Sequence, residues 1–132
     1  MKVKRKKVLI SAYSCEPEVG SEHEIGWQWA INLANKGFHT DVITRYSNKR
    51  KIFKYIKKKK IRNNLNFYFY DLPKWLLILI KGKKNPNSYF YFIIWQILIT
   101  IRFFSHIKNT NYDFIHHVTF VSARIPSFLG LL

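Results

Sequence analysis

The strongest constraint on the fold lies in residues 8–45, where two apolar runs flank a glycine-containing loop and a helical pattern. The first run, VLISAY, follows a basic leader and is continuous rather than alternating, which is typical of a parallel strand buried on both faces. Gly37 stands where a helix favours its terminating glycine, and HTDVITR predicts the next strand. A β-loop-α-β unit of this kind predicts an α/β protein built on a Rossmann-like, doubly wound parallel sheet.

The helix of this unit is predicted to begin at Ser21. Ser21 and Glu24 have the spacing of a capping box, in which the serine hydroxyl accepts the N–H of Glu24 and the Glu24 carboxylate accepts the N–H of Ser21. Ile25, Trp29 and Leu33 follow at helical spacing, with Ala30 and Ala34 beside them, and are expected to form one apolar stripe.

The loop in front of this helix has the composition of an anion-binding turn. The first N–H groups of a helix lack partners inside the helix, its dipole is positive there, and Gly20 lets a ligand approach the backbone. With only Gly20 and Gly26, however, the segment lacks the glycine fingerprint of dinucleotide-binding proteins. A structural interpretation has equal weight, in which Gly20 turns the chain and the glutamates complement the dipole. The Glu22 carboxylate is better suited to accept hydrogen bonds from sugar hydroxyls, or to cap the helix, than to bind a phosphate.

Helical and strand patterns continue to alternate along the rest of the chain, whose 132 residues predict a single domain, 1–132. We predict a basic helix over 48–62, a strand over 64–73, a short apolar segment over 74–80, a polar loop over 81–88, a helix over 89–108, a strand over 112–120 and a last helix from about residue 126.

The net charge of +16 favours an anionic partner. Lys57, Lys58, Lys59 and Lys60 lie in a basic helical segment whose apolar positions could dip into an anionic membrane surface. The favoured alternative is a solvated helix whose apolar side packs on the sheet. Nucleic-acid binding is not expected, because lysines in a helix dominate here rather than arginines interleaved with stacking aromatics.

The cellular location is predicted to be cytoplasmic, with a peripheral position at the inner face of the membrane as an option. The single cysteine, Cys15, excludes an internal disulfide and fits a reducing compartment. The first apolar run is too short for a signal peptide. Residues 85–101 carry no charge and are at the lower limit for a membrane span, so a single-span protein using 85–104 is an alternative; a buried or interfacial helix is favoured.

Two adjacent histidines mark a second candidate site. His116 and His117 lie toward the carboxyl end of the predicted strand 112–120, where open α/β sheets bind ligands. Because side chains alternate along a strand, only one of the two can point into a cleft. The other histidines are expected to be structural or exposed, and the spacing of His and Glu around residues 22–24 does not predict a metal site.

Four ordered segments resemble one group of the glycosyltransferase family 4-like N-terminal domains: SAYSCEP with GSE and GWQWA, then DLPKW, then YFYFIIWQ, then DFIHHVTF with PSFLG. They span nearly the whole chain. The resemblance implies the GT-B fold, of which this chain would be an incomplete N-terminal, acceptor-side half that is inert without the second domain. It implies retaining transfer of a sugar from a nucleotide-sugar donor to a glycan or lipid-linked acceptor, with no metal and no cofactor beyond that co-substrate.

The resemblance also assigns roles to individual residues. Gly20, Ser21 and Glu22 correspond to the loop that approaches the donor diphosphate or the acceptor, and His116 and His117 jointly correspond to the histidine near the reaction centre. The chain departs from the pattern at 23–24, where it has His-Glu and relatives tend to have Pro-Gly. The competing functional hypothesis is a small basic module that binds anionic membranes without catalysis.

Overall fold

The computed structural model describes residues 5–59, 61, 63–80, 89–118 and 129. The elements, in chain order, are β1 (Lys7–Ala12), α1 (Ser21–Asn35), β2 (His39–Thr44), a 3-10 turn (Tyr46–Asn48), α2 (Lys49–Lys59), β3 (Leu65–Phe69), α3 (Lys74–Ile80), α4 (Tyr89–Thr110) and β4 (Phe114–Val118).

Within the described residues the strands form a four-stranded, all-parallel sheet in the order β3-β2-β1-β4. The chain moves outward from β1 through β2 to β3, then returns past β1 to place β4 on its other side. In open α/β sheets this reversal of direction creates a crevice at the carboxyl ends of the strands. The predicted α/β class with a parallel sheet is confirmed, and the strand order is compatible with a Rossmann-like fold.

Helices cover both faces of the sheet, because alternate residues of the buried strands point to opposite sides. On one face Val8 and Ile10 of β1 pack with residues of α1 and α2, including Trp27 and Ile52. On the other face Leu9 packs with residues of α3 and α4. The larger buried side chains of that second core are Tyr13, Ile43, Phe92, Trp95 and Ile99.

Helix α1 differs from its prediction in the face that it buries. Gly26, Trp27, Ala30 and Ala34 are buried, whereas Trp29, expected in the apolar stripe, is 45 % exposed. The helix has apolar side chains on more than one face, and close packing selects among them: only a residue without Cβ fits at Gly26, against the chain following β1. The predicted end of the helix is confirmed, because Gly37 follows α1 with φ of 91°.

The predicted capping box is only partly present. The N-cap residue is Gly20 and not Ser21, and the cap has no side-chain hydrogen bond; the Glu24 carboxylate accepts the N–H of Gly20, at 2.9 Å, instead of that of Ser21. Ser21 is already the first residue of α1, and its φ of 56° differs from the extended conformation that aims an N-cap hydroxyl at the helix.

The other elements follow the sequence prediction with changed bounds: α4 extends to Thr110 rather than to residue 108, and the apolar segment predicted over 74–80 is the helix α3. Strand β3 ends at Phe69 rather than at residue 73, and α2 ends at Lys59. Ile52 of α2 is buried and Lys57, Lys58 and Lys59 are exposed, as expected for a helix whose apolar side packs on the sheet. Lys60, the predicted loop 81–88, the end of the predicted strand 112–120 and most of the predicted last helix lie outside the described residues.

A polar network lies at the amino end of the sheet. The buried carboxylate of Asp41 accepts hydrogen bonds from the Tyr112 hydroxyl, at 2.5 Å, and from Asn66 Nδ2, at 2.9 Å. His106 Nε2 is 3.0 Å from the same hydroxyl, and His39 Nε2 is 3.4 Å from the carboxylate. The network therefore connects the end of α4 and the residues before β4 to strand β2.

Candidate functional site

An aromatic-lined cleft with a volume of about 530 Å³ lies at the carboxyl ends of three adjacent strands. Tyr13 follows β1, Arg45 follows β2, and Asp71 and Leu72 follow β3. Helices α3 and α4 complete the cleft. The lining residues are Tyr13, Arg45, Ser47, Asp71, Leu72, Lys74, Leu77, Ile78, Tyr91 and Trp95.

Arg45 is held in place by the segment that follows β1. Its Nε donates a hydrogen bond to the carbonyl oxygen of Tyr13, at 3.0 Å, and its guanidinium carbon lies 4.1 Å from the centroid of the Tyr13 ring. Asn48 Nδ2 also donates to that carbonyl, at 3.3 Å, and to Thr44 Oγ1, at 2.9 Å. These contacts fix a cation at the edge of the cleft before any ligand binds, which reduces the ordering cost of binding.

An aromatic cluster forms the base of the cleft. The Tyr13 ring meets Phe92 and Trp95 edge to face, each with a centroid distance of 5.3 Å. Trp95 Nε1 donates to the carbonyl oxygen of Tyr70, at 2.8 Å. Burial raises the pKa of Tyr13, while the charge of Arg45 opposes that rise, so the hydroxyl remains protonated at neutral pH.

Charged groups surround this aromatic base. Asp71 Oδ1 accepts the N–H of Tyr46, at 3.1 Å, and Lys74 opens α3 beside it. An apolar cavity with a few fixed polar groups is the usual form of a small-molecule site, since the apolar surface supplies affinity and the polar groups fix orientation. The aromatic rings can contact a sugar ring or an alkyl chain. Arg45 can donate hydrogen bonds to hydroxyl or phosphate groups, and Asp71 can accept them from hydroxyl groups.

The sequence analysis missed this cleft because its lining residues come from segments far apart in the chain. One signal was present. Arg45 and Asp71 each closely follow a predicted strand, and the carboxyl ends of parallel strands meet at one edge of the sheet. The same rule predicts ligand binding at His116 and His117, but it holds equally for Arg45 and Asp71.

The predicted residues Gly20, Ser21 and Glu22 do not line the cleft. They lie in a turn with unusual backbone angles, because Glu18, Gly20 and Ser21 all have positive φ, at 60°, 73° and 56°. Such conformations cost on the order of 1 to 3 kcal/mol for residues other than glycine. Ser21 and Glu24 instead line a second groove along α1, about 580 Å³ in volume, together with Trp29.

The geometry of the turn favours one kind of ligand over another. The N–H of Gly20, which a phosphate would approach, already donates to Glu24 Oε2. The other Glu24 oxygen accepts a hydrogen bond from Gln28 Nε2, at 2.6 Å. A carboxylate at this position repels a phosphate but accepts hydrogen bonds from hydroxyl groups. The turn therefore suits a sugar hydroxyl better than a diphosphate.

His116 and His117 point to opposite faces of the sheet. The His116 ring lies against Trp29 of α1, with a centroid distance of 4.5 Å, and the His117 ring stacks on Phe92 of α4, at 5.9 Å. Neither residue lines the cleft at the carboxyl ends of β1, β2 and β3. Through Trp29, however, His116 adjoins the groove that contains Ser21, so the structure places two of the predicted site residues at one surface.

His117 is half-buried, and both of its ring nitrogens are buried. Among the described residues neither of its ring nitrogens has a hydrogen-bond partner, and Ser11, opposite it in register on β1, also has an unpartnered buried hydroxyl. Burial and the neighbouring His116 lower the pKa of His117 to about 4, and burial lowers that of His116. His117 is therefore neutral at pH 7 and offers one donor and one acceptor nitrogen.

Cys15 has no catalytic environment. Its side chain is fully buried, and burial together with the nearby Glu16 raises the pKa of the thiol well above its usual range. A thiol of this kind behaves as a small apolar side chain. In the described part of the chain no group of three histidine, cysteine or acidic side chains could hold a metal ion.

Neither the comparison with protein-family models nor the comparison with curated proteins gave a match for this chain. The function is therefore inferred from the sequence motifs and from the geometry of the cleft.

Proposed function

We propose that the chain is the acceptor-side, Rossmann-like domain of a GT-B glycosyltransferase, which transfers a sugar from a nucleotide-sugar donor to a glycan or lipid-linked acceptor with retention of configuration. The observation that carries the proposal is the aromatic cleft with fixed charges at the carboxyl ends of β1, β2 and β3. A parallel sheet alone is compatible with many functions. Two observations favour the glycosyltransferase function. The cleft lies at the edge where such sheets bind ligands, and four segments resemble that family.

In this proposal the cleft holds the acceptor. The rings of Tyr13, Tyr91 and Trp95 contact the apolar face of a sugar or the first part of a lipid chain, and Arg45 and Asp71 bind its hydroxyl groups. Arg45 and Lys74 together can also neutralise the phosphate of a lipid-linked acceptor, because both side chains line the same cavity.

The turn and the histidines are assigned to the sugar that is transferred. Gly20, Ser21 and Glu22 present carboxylate and hydroxyl oxygens to sugar hydroxyls. His116 and His117 remain the candidates nearest the reaction centre. With a pKa of about 4, His117 is a weak base, so in this proposal it does not remove a proton.

The proposal is tested by ligand binding to the 132-residue chain. Octyl glucoside, below its micellar concentration, represents a glycolipid acceptor, and 1-octanol represents its alkyl chain alone. We expect the glucoside to bind more tightly than octanol, because Arg45 and Asp71 recognise the sugar. Titration calorimetry or chemical-shift perturbation measures both affinities. Equal affinities for the two probes would show that the cleft does not recognise sugars and would contradict the proposal.

Two neighbouring residues of α3 supply a matched pair of variants. Ile78 lines the cleft and Leu79 does not, yet their exposures are similar, at 72 % and 68 %. Ile78→Ser should weaken glucoside binding by about five- to tenfold, since it removes apolar contact area. Leu79→Ser should leave the affinity unchanged. The same loss in both variants would place the binding outside the cleft.

A further inference from the structure

Helix α4 has two apolar faces. One face packs on the sheet through Phe92, Trp95 and Ile99, all of which are buried. The opposite face carries a stripe of exposed apolar residues at helical spacing. Ile101 is the most exposed of them, at 69 %. The stripe consists of Phe90, Ile97, Ile101 and Phe104. Soluble helices normally place polar residues on the outward face, so the stripe requires an explanation.

Helix α3 extends this apolar surface. Trp75, Ile78 and Leu79 are all more than half exposed. Ile78 lines the same cleft as Tyr91 and Trp95 of α4, which places α3 beside the first half of that helix. Both helices cover the same face of the sheet. We call the surface formed by the exposed side chains of the two helices the α3–α4 face.

The charged side chains of α3 and α4 themselves have one sign. The sequence has no acidic residue from position 72 to position 112, while Lys74 opens α3 and Arg102 and Lys108 lie on α4. The Lys108 ammonium lies 5.8 Å from the centroid of the Phe104 ring. Lys81, Lys83 and Lys84 occur in the sequence between the two helices. An apolar surface on helices whose charged residues are all cations complements the headgroups and outer acyl region of an anionic bilayer.

We propose that the α3–α4 face binds the surface of an anionic lipid bilayer, with α4 lying in the plane of the interface. The inference does not depend on the proposed sugar transfer. A second copy of the chain is a poor occupant, because each copy carries a net charge of +16 and the two faces would bring cations together.

Binding at the interface fits the structure better than crossing the bilayer. Residues Phe90–Thr110 are long and apolar enough for a span by length and composition, but a third of the tested window is buried inside the protein. A spanning α4 would remove Phe92 and Trp95 from the sheet and expose Leu9 and Tyr13 beneath them. An interfacial α4 keeps that core covered.

The lysine-rich helix α2 offers a weaker membrane surface. Lys57, Lys58 and Lys59 are exposed, but the apolar residues of α2 are largely used for packing: Ile52 is buried, and the exposed Phe53 contacts Phe69 with a centroid distance of 5.5 Å. Helix α2 also covers the opposite face of the sheet, so it cannot lie on the same membrane surface as the α3–α4 face. A helix that offers positive charge but no free apolar side is attracted to an anionic membrane only weakly, and salt screens that attraction.

Vesicle flotation of the 132-residue chain tests the proposal. We expect binding to vesicles of phosphatidylcholine with roughly one-third phosphatidylglycerol, and much less binding to phosphatidylcholine alone. Ile101→Glu should reduce binding to the anionic vesicles by about tenfold or more, since it places a carboxylate in the centre of the apolar stripe. The matched control is Asn32→Glu, which makes the same charge change at an exposed site of α1. It should leave binding within about threefold of the wild type.

Further variants separate the possible surfaces. Leu79→Glu, on α3, is a second disruptive variant, and circular dichroism confirms that each variant is folded. Replacing Lys57, Lys58 and Lys59 by Gln should reduce binding less than Ile101→Glu does. The proposal is overturned if Ile101→Glu binds as well as Asn32→Glu, if the lysine variant alone abolishes binding, or if carbonate fails to extract the chain from the vesicles. Self-association through this face without lipid binding would overturn it as well.

Discussion

A Cβ atom added to Gly26 would lie 2.3 Å from the carbonyl oxygen of Ser14 and 2.7 Å from the Cβ of Ala12. Gly26 is buried in the second turn of α1, and Ala12 and Ser14 lie at the end of β1 and just beyond it. Helix α1 therefore crosses the end of the central strand at a distance that only glycine permits. This contact fixes the loop between β1 and α1, which contains the strained turn.

Substitution Gly26→Ala should destabilise the fold. The added methyl group meets backbone and a buried side chain, neither of which can move freely, so we expect a loss of about 1 to 3 kcal/mol in the free energy of unfolding. The loss should appear although alanine is the better helix former by roughly 1 kcal/mol. Urea denaturation followed by circular dichroism measures it. Asn32→Ala, at an exposed site of the same helix, should be neutral or slightly stabilising. Equal stability of Gly26→Ala and wild type would contradict the close packing.

The hydroxyl of Tyr112 should contribute to stability through Asp41. The carboxylate is buried, at 3 % exposure, and loses one of its two short hydrogen bonds in Tyr112→Phe. An under-satisfied buried carboxylate costs roughly 1 to 3 kcal/mol, and the free energy of unfolding should fall by that amount. Tyr46→Phe is the matched control, because the Tyr46 ring is exposed and its removed hydroxyl lies at the surface. A loss that is equal in the two variants would show that the network is not stabilising.

Stability should decrease as the pH falls below the ordinary pKa of histidine, in part because of His117. Its pKa is about 4 in the folded chain and about 6.5 when unfolded, so between these values the unfolded state binds more protons. The contribution is complete above pH 6.5 and is lost as the pH falls toward 4. Because the ring is partly exposed, we expect on the order of 1 to 2 kcal/mol between pH 7.5 and 5.

Chemical denaturation at the two pH values measures this difference. His117→Gln should show a shallower decline than the wild type, since the variant has no imidazole to protonate at that position. His23→Gln, which removes an exposed histidine of α1, should decline as the wild type does. Identical declines in His117→Gln and wild type would assign the pH dependence to other groups.

Local patterns in the sequence predicted most of the architecture. The order of the elements, the parallel sheet and the end of α1 at Gly37 all follow from short-range features: apolar runs, helical spacing and a terminating glycine. The bounds were less accurate. The predicted face of α1 was wrong in part, since Ala30 and Ala34 are buried but Trp29 is exposed, because the helix has apolar side chains in several directions. Trp27 is buried and Trp29 is not, since the contact at Gly26 fixes how the helix rotates on the sheet.

The candidate site shows the same division. The sequence alone determined that His116 and His117 point to opposite faces, because side chains alternate along any strand. The tertiary structure decided that one meets Trp29 and the other Phe92, and it brought Tyr13, Arg45 and Asp71 to one cleft. Those relationships depend on which strands are neighbours and on how the helices lie across them. Such long-range choices are made by the packing of the whole core, whereas strand alternation and helix termination are properties of a few consecutive residues.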